Sequence, residues 1–397
     1  MIKTKDLLLF EKAANFIKIY SGDTSLAESL RTHFKIHKNM GVNDRRRFSQ
    51  IIYSYYRTGR LLNGNNLEEN LMLSSFLLGT EETMIIKAVC STFSFIKADA
   101  FVKPIEEKVK FLVDNKIINT DTKIFPYPEL LSKEVDEDAY SWSLFRQSLA
   151  FIRVRKNFIK EVLEELKQND IEPLVSERND ECLGFEPASK LTLLDSFEKG
   201  KFVIQDRNSQ RTLDDLPVLK PTDYWWDCCC GAGGKSLLFK EKFSTNRIVL
   251  SDSRKSVLEN AKIRMQQAGY DRPEIMQINL ENGGAPQNFI NKFDGIIADV
   301  PCSGSGTWAR SPEQVYFFRP FALKEFVEKQ QRILDNIHPC LKKGGYLLYI
   351  TCSVFKDENE AMVDRIINSG YELKSMKLLG GWNHNSDSLF TAMLKKK

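Results

Sequence analysis

Two apolar runs in this chain end in cysteine, and that repetition restricts the fold more tightly than any other feature. The first, FDGIIADV at 293–300, is closed by Pro301-Cys302-Ser303-Gly304. The second covers 346–350 behind the pair Gly344-Gly345. It is closed by Thr351-Cys352-Ser353 and leads into a charged helix start at Asp357-Glu358-Asn359-Glu360. Short runs of β-formers bounded by turn residues are the pattern of buried strands. Further strands are predicted at 224–227, 247–250 and 274–279, with helical stretches between them and a closing hairpin at 371–378 and 389–394. That alternation predicts an α/β fold with a mostly parallel, doubly wound sheet. Ligands of such sheets lie beyond the carboxyl ends of the strands. A free cysteine often only packs, but two strands ending alike place Cys302 and Cys352 where a reaction would occur.

A chain of 397 residues has room for two or three domains. With 42% apolar and 28% charged residues it reads as soluble and globular, and no run is apolar enough to span a bilayer. The start, MIKTKDLLLFEKAANF, reads as an amphipathic helix without a signal cleavage pattern. Eight cysteines without disulfide-like spacing fit a reducing compartment, so a cytoplasmic location is expected. Charge is uneven: residues 1–60 hold 12 Lys/Arg against 5 Asp/Glu, and the remainder 45 against 48. A basic head on a near-neutral body points to a polyanion partner.

From Lys5 to about 116 the spacing is helical, predicting an all-α domain over 1–130. Phe48, Ile51, Ile52, Tyr55 and Leu62 share one face of a helix begun by Asn43-Asp44, flanked by Arg45, Arg46, Arg47, Arg57 and Arg60. Those arginines fit either a nucleic-acid contact or a solvated helix face. Residues 117–145 read as a connector. A small α+β subdomain is expected over 145–215, with strands at 151–157 and 171–175 around a helix at 158–169. In the first strand Arg153 and Arg155 point to one side, toward phosphates or toward nearby acids.

The last domain is expected over 216–397. Its first strand runs into Cys228-Cys229-Cys230-Gly231-Ala232-Gly233-Gly234-Lys235, a glycine-rich turn opening a helix. Glycines let the backbone approach a ligand, and a helix N-terminus offers free N–H groups. The spacing is not that of a P-loop. Asp252, at the end of the next strand, suits a ribose hydroxyl, so the unit reads as a nucleoside-cofactor site. Three adjacent cysteines on a tight turn cannot all face one ion and no C-x-x-C pair or histidine is near, so no metal is expected.

Taken together, these stretches resemble the Sun-type (RsmB-like) family of RNA cytosine-C5 methyltransferases over about 150–395. Asp227-Cys228-Cys229-Cys230-Gly231-Ala232-Gly233-Gly234-Lys235-Ser236 stands for the family's "DxCAAPGGKT". Asp299-Val300-Pro301-Cys302-Ser303-Gly304-Ser305-Gly306, followed by Arg310, Pro312 and Glu313, stands for "DxPCSGxG". Tyr349-Ile350-Thr351-Cys352-Ser353 with Glu358-Asn359-Glu360 stands for "YxTCSxxxxENE". GKFVIQDRNSQ at 200–210 is similar to the element leading into that family's core. NDRRRFSQIIYSYYRTGRLL resembles a helix of the NusB-like domain that precedes many bacterial ribosomal-RNA cytosine methyltransferases. In the departures, Gly231 and Ala232 replace an alanine and a proline, Asn279 stands where an acid often meets the adenine, and Asp387-Ser388-Leu389-Phe390 replaces "DGFF".

The resemblance implies a Rossmann-like methyltransferase acting as a monomer on RNA with S-adenosylmethionine. Cys352 is implied as the nucleophile, Cys302 as the release residue, Asp299 as the group on the cytosine edge, and Lys235 as an electrostatic contributor. Cys229, Cys230, Gly231, Ala232, Gly233, Gly234, Lys235, Asp252, Asn279 and Asp299 are implied for the cofactor. Arg45, Arg46, Arg47, Arg153, Arg155 and Arg310 are implied for RNA. The head favours 16S ribosomal RNA; transfer RNA, and an RNA-binding assembly factor without turnover, stay open.

Overall fold

The computed structural model describes residues 5–59, 61–62, 66–119 and 123–397; Met1 to Thr4 and Arg60 lie outside the described residues. The chain divides into two compact units: 1–128 with 138–146 and 308–318, and 129–137 with 147–307 and 319–397. Where the sequence suggests separate domains over 145–215 and 216–397, the contacts gather two sheets into the second unit.

The first unit is helical, with principal helices Lys5–Ile19, Leu26–Ile36, Val42–Thr58, Leu67–Leu78, Thr83–Thr92 and Ile105–Asp114. Its core gathers Phe10, Phe48, Ile51, Ile52, Leu71, Phe76 and Val89, which includes the predicted stripe of the third helix. That helix starts at Val42 after Gly41 rather than at Asn43-Asp44. Arg57 does not flank the stripe in solvent. It is buried, and its guanidinium donates to the carbonyls of Arg146 and Ala309, both at 2.8 Å. The segment 308–318 carries the short helix Glu313–Phe317, in which a Glu313 carboxylate oxygen accepts the Leu26 backbone N–H at 3.1 Å and so caps a helix start. No helix among the described residues is long and apolar enough to cross a membrane.

The second unit opens with β1 (Ala150–Val154), β2 (Val175–Glu177), β3 (Cys182–Phe185) and β4 (Phe202–Ile204), an antiparallel sheet in the order β2-β3-β1-β4. The sequence reading places its second strand at 171–175 and misses β3, a four-residue strand too short for a period. The large sheet follows: β5 (Tyr224–Asp227), β6 (Arg247–Asp252), β7 (Glu274–Gln277), β8 (Phe293–Asp299), β9 (Leu341–Thr351), β10 (Tyr371–Leu379) and β11 (Leu389–Lys396). Its order is β10-β11-β9-β8-β5-β6-β7, parallel except for the closing hairpin, which adds β11 antiparallel to β9. Strands β5, β8 and β9 are central, and their near-continuous apolar burial is what a sheet covered on two faces requires.

The QDRNSQ stretch joins the two sheets. Gln210 donates to the Ile152 carbonyl of β1, Asn208 donates to the carbonyls of Leu379 and Asp387, and Asp206 accepts the Asp387 N–H at 3.0 Å. At the Asp387-Ser388 departure the Asp387 backbone is held on both its N–H and its carbonyl, and the Ser388 hydroxyl accepts the Gly381 N–H at 3.0 Å.

Gly295 shows how little freedom the central strands have. A Cβ there would lie 2.3 Å from the ring of Trp225, which is wholly buried on β5. Gly295→Ala is expected to lower stability by about 3 kcal/mol, the upper end for overpacking a core, read as an earlier midpoint in urea denaturation.

Candidate active site

Register brings the site together. Parallel pairing sets Asp299 of β8 beside Ile350 of β9, and Asp227 of β5 beside Ile297 of β8. Three strand ends thus stop at one level, and the loops beyond them carry the reactive groups. The Cys302 and Cys352 sulfurs lie 3.3 Å apart, within hydrogen-bond reach for thiols. Lys235, in the first turn of the helix Gly234–Lys242, donates from Nζ to Asp299 Oδ2 at 2.6 Å. Burial works to lower the Lys235 pKa, but the Asp299 charge and hydrogen bond, with a further contribution from Cys352, raise it overall. Lys235 is therefore a fixed cation. The Cys302 thiol is pushed well up by its hydrogen bond with Cys352, by burial, and by the charges of Cys352 and Glu358. Either sulfur can donate the hydrogen bond between them, and the Lys235 cation lies on the Cys352 side.

Two residues that the sequence reading quoted without a role hold these loops. Glu358 accepts from the Ser303 N–H (2.8 Å), the Ser303 hydroxyl (2.6 Å), the Ser353 hydroxyl (2.5 Å) and the Gln330 amide (3.1 Å). Asn359 accepts from the Thr351 hydroxyl at 2.6 Å and donates to the Ser353 carbonyl at 3.0 Å, bracketing Cys352. Gly306 donates its N–H to the Cys352 carbonyl, and a Cβ there would sit 2.0 Å from the Ser388 carbonyl oxygen. Gln330, on the helix Ala322–Ile337, gave no sequence signal at all, because its partners are reached only through the fold.

The residues that the resemblance implies for the cofactor line the neighbouring strand ends. Gly231 has φ +53° with open space where a Cβ would be, and its N–H donates to Asp252 Oδ2 at 3.1 Å. Gly233, at φ +78°, lies 3.2 Å by its would-be Cβ from Ala261, so this glycine serves helix packing. Cys230 is buried and its N–H donates to the Ser251 carbonyl, Cys229 is half-buried, and the Ala232 carbonyl accepts from Arg264. Gly234 is half-buried at the helix start. Despite its burial, Asp252 is held below the usual carboxylate range by hydrogen bonds from Arg254 and Gly231. A carboxylate has further lone pairs to offer a hydroxyl. Asn279 is exposed just after β7, its side-chain oxygen accepting the Glu281 and Asn282 N–H groups. An open glycine backbone, a carboxylate at one strand end and an amide at the next fit the adenosyl part of S-adenosylmethionine. Among the described residues no group of three or more His, Cys, Asp or Glu could hold a metal ion.

The arginines divide. Arg153 is only 5% exposed, bonded to Gln205 and ion-paired with Glu241, so it cannot face phosphates. Arg155 points to the same side, as its alternation with Ile152 and Val154 predicts, but meets Glu241 and the Ala268 carbonyl. The nearby acid, rather than the nucleic acid, is the partner. Arg46 and Arg47 share Glu82, with the Arg46 side chain 68% exposed, and Arg45 donates to the Met40 carbonyl. Arg310 is exposed in the first unit.

Fold and site define the class: a Rossmann-like α/β domain whose glycine turn and strand-end carboxylate suit a nucleoside cofactor. Residues 217–394 match the model of the 16S rRNA methyltransferase RsmB/F family. The chain is 27% identical over 263 residues to ribosomal RNA small subunit methyltransferase B of Yersinia enterocolitica, covering 59% of this chain and 60% of that protein. It is 33% identical over 178 residues to a probable ribosomal RNA small subunit methyltransferase B of Bacillus subtilis, covering 43% and 38%. The chain thus spans about half the length of these curated relatives. In fold it is similar to the crystal structure of PH0851 (TM-score 0.69, 21% identity, 100% of this chain and 99% of that one). It is also similar to NSun6 from Pyrococcus horikoshii, solved with SFG (TM-score 0.58, 19% identity, 68% and 96%).

Asp227 gives a pH test of the site's interior. Burial pushes its carboxyl up to about 7, against a hydrogen bond from Ser236, and its Oδ1 has no partner. A carboxyl with a raised folded pKa binds more protons folded than unfolded, so its ionisation costs stability as pH rises from about 4 to about 7, and the loss then levels off. Asp227→Asn is expected to remove that part of the slope, measured as the difference from wild type in urea midpoints across this range.

Proposed function

We propose that the chain transfers a methyl group to C5 of a cytosine in RNA, with 16S ribosomal RNA as substrate, through a covalent bond between Cys352 and C6. The observation that carries this reading is the pair of sulfurs 3.3 Å apart, with the Lys235–Asp299 ion pair at the neighbouring strand ends. C5 of cytosine is a poor nucleophile, and a thiolate at C6 moves electron density onto C5. Cys352 is favoured as the nucleophile because the Lys235 cation lies on its side, while the sulfur–sulfur hydrogen bond, burial and Glu358 oppose ionisation of Cys302. S-adenosylmethionine, held by the Gly231–Lys235 turn with Asp252, Asn279 and Asp299, supplies the electrophilic methyl group. The Asp299 carboxylate accepts the N4–H of the base and orients the ring for attack. Release restores the aromatic ring: the C5–H electrons form the C5–C6 double bond, the proton passes to water, and the C6–S electrons leave with Cys352. Cys302 donates its S–H to that departing sulfur, which assigns it the release step.

A base inside a helix is out of reach, so the target is single-stranded or flipped out. The helical unit, as a NusB-like RNA-binding domain, supplies Arg45, Arg46 and Arg47 to the backbone, and Arg310 of the same unit joins them. The RsmB/F match of 217–394 and the printed names of the curated relatives support ribosomal RNA over transfer RNA. SFG, an S-adenosylmethionine analogue bound to a protein of similar fold, supports the cofactor.

Cys302→Ala is expected to accumulate a slow protein band on a denaturing gel that RNase removes, and sequencing the trapped RNA names the cytosine. Cys302→Ala/Cys352→Ala should form none. Absence of the adduct, together with no methyl transfer by the wild type to ribosomal or transfer RNA, would favour an assembly factor without turnover.

A further inference from the structure

We propose that Glu358 is a positioning residue for the release step, a buried carboxylate that fixes Cys302 against Cys352. This rests on the reading above and adds a residue to it. Ser303 directly follows Cys302 and Ser353 directly follows Cys352, and one Glu358 oxygen receives both their hydroxyls, at 2.6 and 2.5 Å. The other oxygen receives the Ser303 N–H and the Gln330 amide. Gln330 spends its second amide hydrogen on the carbonyl of Pro301, the residue before Cys302, at 3.1 Å. The Cys302 loop is thus held on each side of the sulfur-bearing residue, and the Cys352 loop is tied to the same point. Four donors on two oxygens leave no polar atom of the group unmet, and the side chain is wholly buried. The resting separation of the sulfurs is therefore set by a group that touches neither.

Its charge has a second consequence. The groups facing Cys302 are Cys352 and Tyr349 on β9 and Glu358 beyond it, with Lys235 and Asp299 on the Cys352 side. The Glu358 anion opposes ionisation of Cys302 and keeps the proton that the leaving sulfur needs. Burial raises the Glu358 carboxyl itself, and the donors from Ser303, Ser353 and Gln330 work against that rise.

Glu358→Gln removes the charge and puts an amide where two donors already point, while keeping the shape. With both cysteines intact, and with transcribed 16S ribosomal RNA and labelled S-adenosylmethionine as probes, it is expected to lose at least tenfold in kcat with KM for RNA unchanged. The RNase-sensitive adduct should accumulate, and the descending alkaline limb of the kcat profile should move to lower pH. Ser303→Ala, which keeps the charge and drops one hydroxyl, should accumulate adduct without moving that limb. An unchanged pH limb in Glu358→Gln, or a loss of activity matched by loss of folded protein with no adduct in either variant, would overturn the proposal. Wild-type methyl transfer and the Cys302→Ala adduct are read in parallel. If they appear while the Glu358→Gln effects do not, only the role of Glu358 fails.

Discussion

The parallel pairing of β8 with β9 is the constraint on which the site depends. It sets Asp299 beside Ile350, so the two loops that follow start level and their cysteines meet. A register slip by one residue would send every side chain of one strand to the opposite face. Ile296, Ile297, Leu347, Leu348 and Tyr349 are all buried, on both faces of the sheet, so such a slip would force both faces to repack. The sheet interior thereby determines where two sulfurs stand at its edge.

Around that pairing the charges are arranged unequally. Lys235 and Asp299 lie toward the cofactor strands and Glu358 lies behind Cys302, so two chemically identical thiols occupy different fields. A buried ion pair is seldom a net source of stability, since desolvation offsets much of its attraction. Its value here is a fixed charge at a fixed place, which a water-exposed lysine would not provide. Asp227, unpaired at one oxygen beneath the same loop, belongs to this economy of buried charge.

Much of this was legible in the sequence because it is written locally. A strand ending in Pro-Cys, a strand ending in Thr-Cys, a glycine turn and an acid after the second strand each occupy a few adjacent residues. The strands of the large sheet fell within a residue or two of expectation, except that β9 begins at Leu341, ahead of the glycine pair taken as its start; in the small sheet β1 ends three residues early, β2 is shifted and β3 was missed. What the sequence hid is non-local. The alternation of Arg153 and Arg155 correctly put them on one side, but the partner on that side, Glu241, is 88 residues away. Gln330 sits on an ordinary amphipathic helix, and nothing in its neighbourhood distinguishes it from the other glutamines. Arg57 read as a nucleic-acid contact or a solvated arginine because its carbonyl partners, on Leu144, Arg146 and Ala309, come from distant turns.

The excursion of 308–318 into the helical unit has a consequence for the order of synthesis. The cap on Leu26, the carbonyl of Ala309 that receives Arg57, and the Tyr316 and Phe317 rings against Tyr56 all belong to that segment. On the ribosome, the first 128 residues emerge long before these pieces exist. The helical unit must wait, part-built and with a buried guanidinium one partner short, through the translation of most of the sheet. Its completion and the emergence of the Cys302 loop are separated by only a few codons, so the pieces that finish the helical unit and the first of the two paired cysteines emerge nearly together.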